Sequence, residues 1–178
     1  MTKYKHVVST SINSILKEEV DKIKELTNYN LWANKRLLKW LKANQQELLT
    51  KECKSSFSNI LDTLNHILDG QIFYYCLLKE QSIERSWGNS IEEILKGLIE
   101  QSEIFVDYVK SQKSLNEFRF MKTKTLEGTF TQFELIQHCM NHSTFHRGQI
   151  ITMGHHLGFT KAPSTDMLFF FIQRNKLR

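Results

Sequence analysis

The sequence has little of the two residues that interrupt helices: one proline and seven glycines among 178 residues. Between them lie long stretches in which apolar residues recur every three or four positions, the pattern of amphipathic helices. A chain of this length forms one domain with a sizeable core. We therefore expect an all-α domain over residues 20–178, preceded by an N-terminal extension over residues 1–19 that forms a short helix or an ordered tail.

Cysteine is also scarce. Cys53, Cys76 and Cys139 are far apart and odd in number, so the chain lacks the pattern of a disulfide framework and suits a reducing cytoplasm. A continuous apolar segment near the start, typical of a signal peptide, is missing as well. The apolar run at residues 167–172 is far too short to span a bilayer. We expect a cytoplasmic protein with no membrane association.

The chain lacks a clustered basic stripe, although its net charge is +5. Lysines are spread along every predicted helix with glutamates between them, which is typical of solvated helix faces. A nucleic-acid-binding protein would instead concentrate its positive charge on one surface. We therefore do not expect a nucleic-acid partner.

Four segments carry helical periodicity and predict an up-down four-helix bundle. They cover residues 20–43, 57–79, 90–111 and 131–158. The last two begin with a serine or threonine followed three residues later by glutamate, the spacing of a capping box, at Ser90 and Thr131. Ser55 or Ser56 is the expected N-cap of the second helix.

The pattern changes between the third and fourth helices. Residues 114–131 alternate and are rich in β-forming side chains, which predicts a long hairpin-like crossover with its turn at residues 127–128. A connection of this length can lie over the mouth of an active site. After Pro163, a short C-terminal helix is expected, capped by Ser164 or Thr165.

The chemically informative stretch is residues 138–154, where His138, His142 and His146 recur at every fourth position. At about 100° per residue, these three side chains line one face of one helix. Two imidazoles on adjacent turns can bind one metal ion. The outer pair cannot, because it lies roughly 12 Å apart along the axis while ligand bonds are about 2 Å long. The pair is therefore 138/142 or 142/146, with a third ligand from elsewhere.

His66 is the candidate third ligand. It lies in the second predicted helix, and Asp62 and Asp69 border the same face. A lone histidine in an amphipathic helix is more often a packed or surface residue. The matched pair on another helix favours ligation, because the metal needs another protein donor. His155 and His156, at a helix C-terminus, are interpreted as solvent-facing.

The stretch N-H-S-T-F-H-R-G-Q-I at residues 141–150 resembles the signature of the DinB/YfiT-like family, damage-inducible proteins that fold as metal-binding four-helix bundles. The upstream pieces Y-N-L-W-A-N and L-N-H-I-L and the later G-F-T-K-A-P-S-T-D agree in order, so the resemblance covers about residues 20–172. It implies a divalent metal ion bound by His66, His142 and His146, with His138 outside the triad.

Three neutral imidazoles leave a coordination position open for water or substrate, and they do not distinguish Zn, Ni or Fe. The resemblance implies a metal-dependent thiol S-transferase or hydrolase that acts on a small-molecule substrate with a low-molecular-weight thiol. The alternative is a non-catalytic metal-binding stress protein. The resemblance also implies a homodimer.

Each ligand histidine needs an acceptor for its other ring N–H. The residues that spacing makes candidates for this role are Asp62, Asp69, Asn141 and Gln149.

Overall fold

The computed structural model describes residues 2–176, and of residues 2–13 and 15 it describes the backbone alone. The described chain is mostly helical, with one β-hairpin. Its elements, in order, are α1 (Thr2–Lys42), α2 (Ile60–Lys79), α3 (Ile91–Ser111), β1 (Phe118–Lys122), β2 (Glu127–Thr131), α4 (Gln132–His156) and α5 (Met167–Asn175). A single 3-10 turn, Gln46–Thr50, lies in the connection between α1 and α2.

The first helix is longer than expected, since it continues from Thr2 to Lys42 without a break. The physical reason is visible in the sequence, because this segment contains neither glycine nor proline. The predicted leading segment and the predicted first helix are therefore one element. The division into an extension over residues 1–19 and a domain over residues 20–178 stays a prediction.

Local capping signals place two of the helix starts correctly. The hydroxyls of Ser90 and Thr131 accept from the backbone N–H three residues on, and Glu93 and Glu134 complete the two capping boxes. Gly158, at φ 84°, takes the left-handed conformation expected just beyond the end of α4.

The predicted starts of α2 and α5 were wrong. Asn59, not Ser55 or Ser56, caps α2, with its side chain accepting from the backbone N–H of Asp62 at 2.8 Å. Asp166 caps α5 in the same manner, accepting from Leu168 N–H. In both regions several polar side chains that can serve as caps lie close together in the sequence, so the local pattern leaves the start undetermined.

The crossover forms an antiparallel hairpin, with Phe118 paired to Thr131 and Lys122 to Glu127. Residues 123–126 make the turn, so the expected turn at residues 127–128 was wrong. The hairpin packs on the far end of α2, where Arg119 Nε donates to the carbonyl of Leu78. That carbonyl is about 18 Å along the helix from His66, so the hairpin does not cover the histidines.

The four long helices pack as a bundle. α1 contacts α3 and α4, α2 contacts the same two helices, and α1–α2 and α3–α4 form the diagonals. A mostly helical bundle is thus confirmed, with the β-hairpin as its non-helical part. A simple up-down bundle places helices that follow one another in sequence side by side, whereas here the connections from α1 to α2 and from α3 to α4 each cross a diagonal. The packing that matters for function is α2 against α4.

Two apolar clusters fill the bundle, one around Leu37, Leu64 and Leu98 and the other around Phe105 and Ile136. Between them along the helices lies a buried polar layer. Its members, which share nearly complete burial, include Asn30, Asn34, Gln71, Ser102, Ser143, His146 and Arg147. The candidate site lies at the level of this layer.

Candidate metal centre

Three histidines from two helices converge on one point. The Nε2 atom of His142 lies 2.9 Å from His66 Nε2 and 3.1 Å from His146 Nε2. The three candidate ligand atoms all lie within 4.8 Å of one another. His142 and His146 are one turn apart on α4, and His66 reaches them from the second turn of α2. The structure therefore brings together the 142/146 pair.

His138 lies outside this group. Its side chain is exposed, and its ring stacks on His142 at 6.1 Å between centroids and approaches Tyr74 at 5.4 Å. Among the described residues, the group of ligand atoms close enough together to hold one metal ion contains His66, His142 and His146 but not His138. The 138/142 alternative is not the arrangement that the structure shows.

Two of the three separations between these nitrogens fit a divalent cation. Two nitrogens bound to one ion at about 2.0–2.1 Å are about 2.9–3.4 Å apart for bond angles between octahedral and tetrahedral. The two close separations, 2.9 and 3.1 Å, fall in this range. Without a cation, at most one hydrogen can lie between each facing pair of nitrogens. Three converging imidazole nitrogens can hold a metal ion.

A hydrogen-bond chain fixes the ring of His146. Its Nδ1 atom lies 2.7 Å from Oε1 of Gln149, and Nε2 of Gln149 donates to the hydroxyl of Ser56 at 2.7 Å. Because the amide nitrogen faces Ser56, the amide oxygen faces the imidazole and accepts its Nδ1–H. The Nε2 lone pair is then directed to the site, as a metal ligand requires. Gln149 was one of the four expected acceptors.

The other expected acceptors do not serve these rings. Asp62 accepts from Asn59 at the start of α2. Asp69 accepts from Arg85 at 2.6 Å. Asn141 is exposed on α4. The two carboxylates that border His66 in sequence are therefore engaged outside the site.

Sequence reasoning missed two residues at the site. Phe57, from the loop before α2, places its ring 4.5 Å from that of His66 and 5.6 Å from that of His146. Gly70 lies against His142, since a Cβ there would be 3.5 Å from the imidazole Cε1. We had expected Phe57 to be helical, and a lone glycine within an apolar helix was the signal for a close approach.

Burial favours the neutral form of two of the rings, those of His142 and His66. Removal from water lowers the pKa of His142 to about 4, and repulsion from the three neighbouring histidines adds to this. Burial also lowers the pKa of His66. Both shifts favour the uncharged imidazole, which is the form that binds a metal ion.

A buried cation lies directly behind the site. Arg147 is 1% exposed, and its guanidinium donates to the side-chain oxygens of Asn30 and Asn34 on α1 and of Thr144 on α4. The same group lies 5.6 Å from the centre of the Tyr29 ring. Arg147 thus ties α4 to α1 one residue away from His146.

Comparison with known proteins agrees with this arrangement. The model of the DinB family matches residues 17–176, which include the three converging histidines. The chain is also similar to Protein DinB of Bacillus subtilis (strain 168), with 27% identity over 164 residues that cover 85% of this chain and 95% of that protein. Among the described residues, no helix combines the length and the apolar character needed to cross a membrane.

Proposed function

Because this chain belongs to the DinB family, we propose that it binds one divalent metal ion through the Nε2 atoms of His66, His142 and His146. The observation that carries the proposal is the convergence of these nitrogens, at 2.9 and 3.1 Å, from helices that are far apart in sequence. Such a donor set accommodates Zn, Ni or Fe.

We further propose that the site serves a thiol S-transferase or hydrolase reaction on a small molecule. When bound, a divalent ion supplies Lewis acidity, which favours the deprotonated form of a thiol or of water. In the transfer, the thiol proton passes to solvent and the sulfur lone pair forms a bond to an electrophilic carbon. The leaving group departs with its bonding pair.

The protein's own residues bind and orient in this reaction. The three neutral imidazoles would hold the ion without adding negative charge, so the site would keep the ion's full positive charge for an anionic group of the substrate. Gln149 holds the His146 ring in its ligating tautomer. Phe57 covers one side of the imidazoles and excludes water there.

The second candidate function is metal binding without catalysis, in a stress-response role. One observation favours it. The two carboxylates nearest in sequence to His66 have other partners, Asp62 with Asn59 and Asp69 with Arg85. The site therefore lacks an evident carboxylate for general acid or base catalysis.

Elemental analysis of the purified protein, followed by a thiol-transfer assay with monochlorobimane, separates these candidates. We expect one bound metal ion per chain and a thiol-transfer rate that disappears on chelation and returns with metal. Metal at that stoichiometry with no transfer across a panel of low-molecular-weight thiols and electrophiles would support the non-catalytic candidate. A chain without bound or bindable metal would overturn both.

A homodimer in the cytoplasm also belongs to this proposal. Leu168, Phe169 and Ile172 are more than half exposed on α5, and such an apolar surface is suited to association. Light scattering during size-exclusion chromatography measures the mass directly. A mass of one chain at all concentrations would remove the dimer from the proposal.

A further inference from the structure

One side of the histidine site is formed by an aromatic ring held in place by a loop. Phe57 is half-buried, and its plane makes an angle of 35° with that of His66 and 63° with that of His146. The preceding residue, Ser56, accepts a hydrogen bond from Gln149 on α4. The loop is thereby attached across the site, and the ring of Phe57 has a fixed position against two of the candidate ligands.

A second aromatic ring borders the site on its solvent side. Phe145 is 61% exposed, and its ring centroid lies 5.0 Å from that of His146. At about 100° per residue, position 145 lies about 60° around α4 from His142, toward solvent. An exposed phenylalanine that contacts a ligand imidazole offers apolar surface to a molecule that enters the site.

Asp69 acts on His66 through its charge, but this carboxylate is paired with Arg85. The groups in ring contact or hydrogen-bonded with the three imidazoles carry no formal charge. They are the rings of Phe57 and Phe145, the amide of Gln149 and the neighbouring imidazole of His138. Pockets lined by aromatic rings with few polar groups bind ligands chiefly through their apolar parts, while the polar groups or a metal set the orientation.

We propose that the molecule taken by this site joins a sulfur donor or electrophilic centre, directed at the metal ion, to a flat apolar group of aromatic size that packs against Phe57 and Phe145. This inference rests on the proposed function, because it requires a metal ion on the three histidines. It names a substrate class: an aryl- or aralkyl-bearing thiol or electrophile, in preference to a small or highly charged one.

The test uses the full chain loaded with Co²⁺, whose thiolate complexes absorb in the near ultraviolet. Two alkyl thiols of similar acidity, 2-phenylethanethiol and ethanethiol, are titrated and their dissociation constants compared. We expect the phenyl compound to bind about tenfold more tightly to the unaltered protein, and Phe57→Ala to remove most of that preference. Phe57→Leu keeps apolar volume without the ring and should retain an intermediate preference.

Two further variants complete the design. Phe145→Ala removes the exposed ring, where truncation leaves the core intact, and should lower the preference about threefold. Phe118→Ala removes an exposed ring on β1, away from the histidines, and should leave both dissociation constants unchanged.

The outcomes are distinguishable. Equal affinity for both thiols, or a preference that survives loss of both Phe57 and Phe145, overturns the inference while the metal site stands. Failure of the unaltered chain to take up Co²⁺ overturns the proposed function and the inference with it.

Discussion

Replacing Gln149 with leucine should weaken metal binding without removing any ligand. In the folded protein, Oε1 of Gln149 lies 2.7 Å from Nδ1 of His146, whose side chain is almost completely buried. Leucine has a similar size but accepts no hydrogen bond. The metal-free imidazole can then move its proton to Nε2, which lies 3.1 Å from the ring nitrogen of His142. That proton must leave before a metal ion can bind.

The expected loss of metal affinity follows from the role of the hydrogen bond between Gln149 and His146. Loss of an acceptor behind a metal-bound histidine typically weakens affinity about 10- to 100-fold. This corresponds to about 1.4–2.7 kcal/mol. The range agrees with the cost of about 1–3 kcal/mol for leaving a buried donor unpaired. We therefore expect the Gln149→Leu dissociation constant to rise by one to two orders of magnitude.

A graded series separates this effect from general damage. Gln149→Glu should recover most of the affinity, since a carboxylate oxygen also accepts the Nδ1–H. Ser56→Ala removes only the hydroxyl that accepts from Nε2 of Gln149 at 2.7 Å, and it should weaken metal binding a few-fold. His138→Ala is the matched control on α4 and should bind like the unaltered protein. Competition against a chromophoric chelator at fixed pH and salt measures all four variants.

Two results would refute this reasoning. The first is a Gln149→Leu variant with unchanged affinity, which would mean that the amide does not select the tautomer. The second is a Ser56→Ala variant that binds metal more weakly than Gln149→Leu. That result would mean that the position of the loop, and not the hydrogen bond to His146, determines the affinity.

Four other predictions concern the ligand register, the pH dependence of stability and two glycines of α4. His142→Ala and His146→Ala should each abolish stoichiometric metal, and His138→Ala should not; elemental analysis that finds metal lost from His138→Ala but kept by His146→Ala would show the ligand register to be wrong. Metal-free protein should lose stability as the pH falls from about 6.5 toward about 4, because the low pKa of His142 means that the unfolded chain binds more protons there, and urea unfolding of the His142→Ala variant should show a weaker dependence. Gly148→Ala, in open space, should stabilise α4 by about 0.5–1 kcal/mol. Gly154→Ala would push a Cβ into the Trp40 ring and should destabilise the protein by about 1–2 kcal/mol by the same assay.

The helices that the sequence predicted well are those whose ends are decided locally. The capping boxes at Ser90 and Thr131 involve residues three apart, so the pattern contains all the necessary information. The start of α2 is different. Ser56 can cap a helix, but in the folded chain its hydroxyl accepts from Gln149 on α4, more than ninety residues later. A tertiary contact of that kind leaves no local signal.

The ligand register shows the same limit. Helical geometry alone left 138/142 and 142/146 open, because both pairs have the same spacing on the same face. The choice is made by the contact between α2 and α4, where Gly70 lies against His142 and lets His66 approach it. The resemblance to a family favoured the 142/146 pair on sequence alone, and the converging nitrogens of the folded chain agree with that choice.

The buried layer around Arg147 explains how that register is held. Two helices that pack through leucine-rich faces can shift along each other at little cost, because one apolar contact resembles another. A buried guanidinium resists such a shift, because few hydrogen-bond acceptors lie within its reach. If α4 moved by one turn, about 5.4 Å, Arg147 would leave the side-chain oxygens of Asn30 and Asn34. An unpaired buried charge costs several kcal/mol, more than a leucine contact can offset. Because His146 is the adjacent residue, the interactions that fix α4 on α1 also fix the height at which its imidazole meets His66.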